Sequence, residues 1–298
     1  MVSRRSVQDR LYDAVFNVIL VLALLIAVYP LYYVLIASVS DSTLVSGGEI
    51  TLYPRGINFE AYKFVFQDRS IMRGYLNSLF YAAGQTVISL ILTLPAAYAL
   101  SRRDFRGGRL FMLYFVVTMY FSGGIIPFFV VIRRLGLIDS VWSLILPNAV
   151  NVFNIIVART FFASTIPGEL WESAQLDGCT NARFFLRIVL PVSGALVSIV
   201  ALFNVVQNWN AFFHAMLFIR DLAKNPLQLI LRRIIIMNEI ASGDASIGIS
   251  PEELIRRRQI SDLMKYALIV VAAAPLLIVY PFVQKYFVKG VMIGSVKG

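Results

Sequence analysis

The run AVFNVILVLALLIAVYPLYYVLIAS, from Ala14 to Ser38, decides the fold of this chain. It holds 15 residues of the Leu, Ile, Val and Phe type and no charge. At about −0.3 to −0.6 kcal/mol each on an insertion scale, these sum to roughly −5 to −9 kcal/mol in favour of the bilayer. The lone Asn17 cannot offset that. Arg4, Arg5 and Arg10 precede the run as they would in a secretion signal. Its length exceeds the roughly 7–15 residues of a signal core, so it reads as an uncleaved anchor.

Five more apolar blocks follow: Leu76 to Leu100, Leu110 to Ile132, Trp142 to Phe162, Val192 to Phe218 and Leu263 to Phe287. Each has about the 20 residues that cross a hydrocarbon core roughly 30 Å thick. The 298 residues are 58% hydrophobic and 15% charged, against about a quarter charged in soluble domains. The expectation is an all-α integral membrane protein, a single transmembrane domain over residues 1–298 with helices near 14–38, 76–100, 110–132, 142–162, 192–218 and 263–287.

The net charge of +10 fits the positive-inside bias, because Lys and Arg flank the apolar blocks. No nucleic-acid module is visible. With the N-terminus inside, the cytosolic side collects Arg4, Arg5, Arg10, Arg102, Arg103, Arg106, Arg109, Arg183, Arg187, Lys285, Lys289 and Lys297. Both termini are then cytosolic, and segments 39–75 and 219–262 lie outside. The second is basic, with Arg232, Arg233 and Arg256-Arg257-Arg258. It reads either as a long loop that translocates regardless of charge or as a steering surface for an acidic protein or anionic solute. The single cysteine, Cys179, falls in a cytosolic loop and is expected to be reduced.

Several spans carry irregularities where a transport path could lie. Gly123, Gly124 and Pro127 predict a break in the third, tolerated only where protein or a cavity covers the freed backbone groups. In the fourth, Asn148, Asn151 and Asn154 recur at steps of three, which places them near one helical face. In the fifth, Asn204, Gln207, Asn208 and Asn210 cluster with Trp209 and His214. Such amides serve helix packing or solute contact. Asn148, Asn151, Asn154, Gln207, Asn208, Trp209 and Asn210 are the substrate-path candidates, and His214 reads as a packing residue. Amides beside aromatics suit a neutral polyhydroxylated ligand better than an ion.

Segment 164–191 reads as two short helices with a sharp stop between them. Pro167 suits the first turn, with Glu169 near the positive end of the helix dipole. Gly178 is a left-handed stop, and Thr180 can cap the next helix, which runs to Pro191. Trp171 and Ala174 share one side, a surface that needs a partner or the membrane interface.

Here the chain resembles a known family, the membrane subunits of binding-protein-dependent ABC importers. Their motif is Glu-Ala-Ala, three residues, Gly, nine residues, then Ile-X-Leu-Pro. Here Glu172-Ser173-Ala174 is followed by three residues, Gly178, nine residues and Ile188-Val189-Leu190-Pro191. Only Ser173 for Ala departs. Pro95-Ala-Ala-Tyr-Ala-Leu-Ser-Arg102, Leu135-Gly-Leu-Ile-Asp-Ser140, Leu144-Ile-Leu-Pro147 and the tail Phe287 to Gly298 look like the carbohydrate branch, in particular its maltose-permease-like second subunit and an oligosaccharide subgroup that includes alginate.

The resemblance implies the type I importer permease fold with a cytosolic coupling helix between helices 4 and 5. Glu169, Glu172, Ser173, Ala174, Asp177, Gly178, Arg183 and Pro191 are then expected at the ATPase, with Ser295, Lys297 and Gly298 of the tail. The expected partners are a second permease subunit, most simply in a heterodimer, two copies of a cytosolic ATPase, a periplasmic or lipid-anchored solute-binding protein, an oligosaccharide and membrane lipids. ATP and Mg would sit on the ATPase, since no G-x-x-x-x-G-K-[ST] loop occurs here. The expected location is the bacterial inner membrane.

Three rival readings stay open at this stage. One is an importer of a peptide, polyol or glycerol phosphate. An ATP-independent transporter would call for ionisable residues in the spans, which hold almost none except Arg159. An intramembrane enzyme would need a metal or nucleophile motif, and neither H-E-x-x-H nor G-x-S-x-G is present.

Overall fold

The computed structural model describes residues 7–244, 263–278 and 280–281, and these form helices and turns without strands. They belong to two compact units, Met1–Arg69 with Arg232–Ala274, and Ser70–Leu231 with Pro275–Gly298.

In the first unit, α1 (Val7–Ser38) runs unbroken through Pro30. Residues Leu11–Ser38 have a mean hydropathy of 2.6 and are almost entirely unburied within the chain, as a lipid-facing span should be. The following segment is not a plain loop. It folds into α2 (Ser42–Ser46), capped by the Asp41 carboxylate, and α3 (Glu60–Gln67). Tyr29 and Tyr32 of α1 donate to the carbonyls of Thr51 and Leu52. Ser38 bonds the Tyr62 hydroxyl at 2.7 Å.

The second unit begins with α4 (Arg69–Ser101), longer at its start than the 76–100 block. Gly74 lets it approach residues 226–231, because a Cβ there would lie 2.5 Å from Ile230 Cδ1 and 3.2 Å from Leu227 Cα. Asn77 and the Tyr81 hydroxyl donate to the carbonyls of Ala223 and Lys224, and the Ser78 hydroxyl accepts from Leu227 N–H.

The third apolar block is not a straight rod. It divides into α5 (Gly108–Tyr120) and α6 (Ile125–Arg134), bent by 112°. The break falls at Gly123 and Gly124, and Gly124 has φ +81°. The fourth block also divides, into α7 (Trp142–Ile145) and α8 (Val152–Thr165). Pro147 lacks the N–H that would continue α7, and the Asn151 side chain caps α8 by accepting from Phe153 N–H.

After α8 come α9 (Gly168–Leu176) and α10 (Asn181–Phe184), a π turn over Phe185–Val189, and α11 (Leu190–Val192). The chain then bends by 82° into α12 (Gly194–Trp209) and continues as α13 (Phe213–Phe218). Segment 219–262, expected as an outer loop, contains α14 (Leu227–Asp244), with Arg232 and Arg233 exposed. Arg256-Arg257-Arg258 lie outside the described residues. The last apolar block forms α15 (Leu263–Ile278). By length and composition, α1 and α4 can each cross a membrane alone, and each of the two bent pairs can supply one more crossing.

Candidate functional site

Segment 164–191 builds an acidic knuckle from local rules. Pro167 precedes α9, in extended backbone at ψ 144°, rather than entering its first turn. Glu169 stands in that turn, where a carboxylate favours the dipole. At the far end, Cys179 N–H reaches the Ala174 carbonyl at 2.9 Å and Gly178 N–H reaches that of Gln175 at 3.0 Å. This pair of bonds is a Schellman closure, which requires a left-handed residue, and Gly178 has φ +73°. Thr180 then accepts from Arg183 N–H to cap α10.

Pro191 explains the π turn. It has no N–H for the Arg187 carbonyl, and its ring would crowd that group in a regular helix. The backbone widens instead, and Leu190 N–H bonds Phe185 O, five residues back.

One side of the knuckle is locked into the helices. Ala174, Phe184 and Val189 are buried in one core with Leu94, Ala97 and Tyr98 of α4, Ile155, Ala158 and Phe162 of α8, and Leu196 and Val200 of α12. Trp171 does not wait for a partner. Its ring meets Phe184 edge-on at 5.1 Å, and the Arg102 guanidinium lies over the ring, 4.2 Å from its centroid. Arg102 is itself held by the Asp104 carboxylate at 2.8 and 2.6 Å and by the Tyr98 hydroxyl at 3.0 Å. The hydrogen bonds to Asp104 hold the Arg102 pKa above its ordinary value, while the guanidinium lowers that of Asp104. Arg159 donates to the Leu100 carbonyl near the end of α4, 3.0 Å away.

The other side is open. Glu169, Glu172, Ser173, Asp177, Gly178, Arg183 and Pro191 are exposed, and Leu176 is 90% exposed. An apolar side chain that bare at the tip of an acidic helix was not singled out by the motif reading, and the contact of Arg102 with Trp171 was not foreseen. Ser295, Lys297 and Gly298 lie outside the described residues.

A second set of candidates gathers around a cavity of about 230 Å³, lined by Gln85, Asn148, Gln207, Asn208, Asn210 and His214. Gln85 is 1% exposed and is its hub. It donates to the Asn148 carbonyl at 3.1 Å and accepts from the Asn208 amide. The Asn148 amide bonds His214 Nδ1 at 2.9 Å. Gln85 was overlooked, although a lone buried amide within an apolar block is itself a signal. His214 turns out to line the cavity as well as to pack on Phe128 and Phe218.

The three asparagines of the fourth block do not share a helical face. Pro147 ends the helix before that register can form. Asn148 falls in the turn, Asn151 caps α8, and only Asn154 lies within the helix, where it is buried. Trp209 is a packing residue, 2% exposed with Tyr75 edge-on at 5.4 Å. Among the described residues no cluster of His, Cys, Asp and Glu could hold a metal ion.

Comparison with known proteins places this architecture. The Polygalacturonan/rhamnogalacturonan transport system permease protein YtcP of Bacillus subtilis (strain 168) is 41% identical over 294 residues, covering 98% of this chain and 100% of YtcP. This chain belongs to the permease subunits of carbohydrate ABC importers. Protein LplC of the same organism is 39% identical over 275 residues, 92% of this permease and 90% of LplC. A chain from the crystal structure of a bacterial ABC transporter involved in the import of the acidic polysaccharide alginate superposes with a TM-score of 0.83 at 34% identity, covering 95% of the permease and 99% of that chain. No protein-family model matches the permease. It is an integral membrane component of a bacterial, binding-protein-dependent transport system. In such systems the ATPase is a separate subunit.

Proposed function

We propose that the permease forms half of the translocation path of an oligosaccharide importer and that α9 is its coupling helix. In this reading six spans cross the inner membrane, each broken block counting once, with both termini and segment 164–191 cytosolic and segments 39–75 and 219–262 outside. Two ATPase copies bind ATP and Mg, and each grips the coupling helix of one permease. A second, related permease completes the path as a heterodimer, and a solute-binding protein delivers the sugar from outside.

The observation that carries the reading is the two-sidedness of the knuckle. Its inner side is bolted by Ala174, Phe184 and Val189 to α4, α8 and α12. Its outer side offers Glu169, Glu172, Asp177 and the bare Leu176. A cleft that closes on the outer side therefore moves three helices as one lever. Glu172 is assigned to a basic residue of that cleft, and losing one partner of a pair buried on docking costs roughly 3–5 kcal/mol. Glu172→Lys is expected to leave a folded, inserted permease that hydrolyses ATP with its partners but no longer couples it to uptake. Wild-type transport in that variant would remove the role.

The cargo we propose is an oligosaccharide from an acidic polysaccharide, the class named for YtcP and for the alginate importer. The amide cavity agrees with such a cargo. It offers hydroxyl-binding amides with Phe212 and Phe213 on its wall, which suits a saccharide, while the acidic class rests on the names of the relatives. Titration of the cognate solute-binding protein with oligogalacturonates, alginate fragments and maltooligosaccharides tests this. Selective binding of the neutral series would exclude the acidic class.

A further inference from the structure

Beside the knuckle, a second cavity of about 520 Å³ opens between the end of α4 and α10, within the roughly 300–1,000 Å³ of ordinary ligand sites. Its apolar walls are Pro95, Tyr98, Ala99, Phe105, Phe185 and Leu186. Arg102, Asp104, Asn181 and Ala182 complete it. The charges of Arg102 and Asp104 are spent on each other.

The uncommitted charge is carried by residues adjacent in sequence to the lining. Arg103 stands between Arg102 and Asp104, Arg106 follows Phe105, and Arg187 follows Leu186. All three are exposed, and among the described residues none has an ion pair or hydrogen bond from its side chain. The three belong to segments adjoining α4 and α11, so an apolar cavity at a helix end has exposed guanidiniums on residues next in sequence to its lining. An acyl chain suits the apolar walls, and a phosphate suits the neighbouring arginines.

We propose that this cavity seats one anionic phospholipid of the inner leaflet, an acyl chain lying along Pro95, Phe105 and Leu186 and the headgroup phosphate between Arg103, Arg106 and Arg187. A zwitterionic lipid supplies the chain but no net negative charge, and a free phosphate supplies the charge without the chain. The site rests on the cytosolic placement of segment 164–191, which is tested separately by labelling from each side of the membrane.

The lipid shares a wall with the lever. Phe185 lines the cavity and packs on Tyr98 at 5.2 Å, and Tyr98 in turn holds Arg102 beneath Trp171. Occupancy therefore stiffens the joint between α4 and α10.

The test is native mass spectrometry of the assembled, delipidated transporter titrated with phosphatidylglycerol or phosphatidylcholine. Wild type is expected to retain phosphatidylglycerol preferentially at one site of this chain. Near-surface cations contribute about 1 kcal/mol each toward anionic lipid, about fivefold apiece. The triple variant Arg103→Gln, Arg106→Gln, Arg187→Gln should thus lose on the order of 100-fold in affinity, and the matching triple Lys variant should keep most of it. Ala99→Phe, which fills the cavity and spares the arginines, should also lose the bound lipid.

Equal retention of the two lipids by wild type, or unchanged binding in the triple Gln variant, would overturn the proposal. So would lipid that survives Ala99→Phe, which would mean a headgroup on the surface and no chain in the cavity. Binding to the isolated permease but never to the assembled transporter would overturn it too, because a second subunit would then fill the space.

Discussion

Replacing Phe184 by alanine should detach the knuckle from the helices it moves while leaving the chain in the membrane. Phe184 is 0% exposed and is the common neighbour of Trp171 on α9 and Tyr98 on α4, at 5.1 and 6.5 Å. Removing a buried phenylalanine side chain costs about 3–5 kcal/mol in lost transfer energy and cavity. At 1.36 kcal/mol per decade, the population in which α9 has come away from the core rises by roughly two to almost four orders of magnitude. Insertion of the first span alone is favoured by roughly 5–9 kcal/mol and does not involve this residue, so the variant should still insert. Phe184→Leu keeps an apolar side chain of similar bulk and should cost about 1 kcal/mol. The assay is solute taken up per ATP hydrolysed in proteoliposomes holding the complete importer. Phe184→Ala should continue to hydrolyse ATP while uptake falls at least tenfold, and Phe184→Leu should stay near wild type. An unchanged coupling ratio in Phe184→Ala would show that the buried contacts do not transmit the stroke.

Two further outcomes follow from single residues. A Cβ at Gly178 would have nothing within 4 Å, so Gly178→Ala should act only through its left-handed backbone at φ +73°, at about 1–2 kcal/mol. Gly178→Asn should recover part of the loss in thermal unfolding, since asparagine tolerates that conformation. At the opposite end of the second unit, Asp139 has φ +59° and its carboxylate accepts from the backbone N–H groups of Asp221 and Arg220 at 3.0 and 3.1 Å. Those N–H groups, with Lys224 beside them, hold the Asp139 pKa below its ordinary value. A lowered folded-state pKa contributes stability that is present above the unfolded value and lost as pH falls through the folded one. Asp139→Asn should therefore melt below wild type at neutral pH, and the gap should narrow below about pH 4. A gap that stays constant with pH would contradict the assignment.

The helical membrane class was legible in block length and composition, because six long apolar runs admit little else in a bilayer. The path of the chain within the blocks was less so. Gly123-Gly124 announced the break between α5 and α6, but a hydropathy window treats Pro147 as one apolar residue among many. The asparagine spacing of the fourth block assumed a helix that Pro147 does not allow. The knuckle could be read from turn chemistry, since Pro167, Gly178 and Thr180 each impose a local conformation. Its anchoring could not, because Arg102 and Trp171 are 69 residues apart in sequence and meet only through tertiary packing. Gln85 and Asn148 likewise find each other across 63 residues. Trp171 illustrates the general point: its amphipathic setting asked for a partner, and the chain itself supplies one.

The most direct measurement places a single thiol at the tip of the knuckle, as Leu176→Cys in a Cys179→Ser background, and follows its reaction with a membrane-impermeant maleimide. The thiol should be silent in intact cells, reactive in inside-out vesicles stripped of the ATPase, and protected again when the ATPase subunits are added back. Labelling from outside intact cells, or reactivity that the bound ATPase leaves unchanged, would contradict a cytosolic coupling helix gripped by its motor.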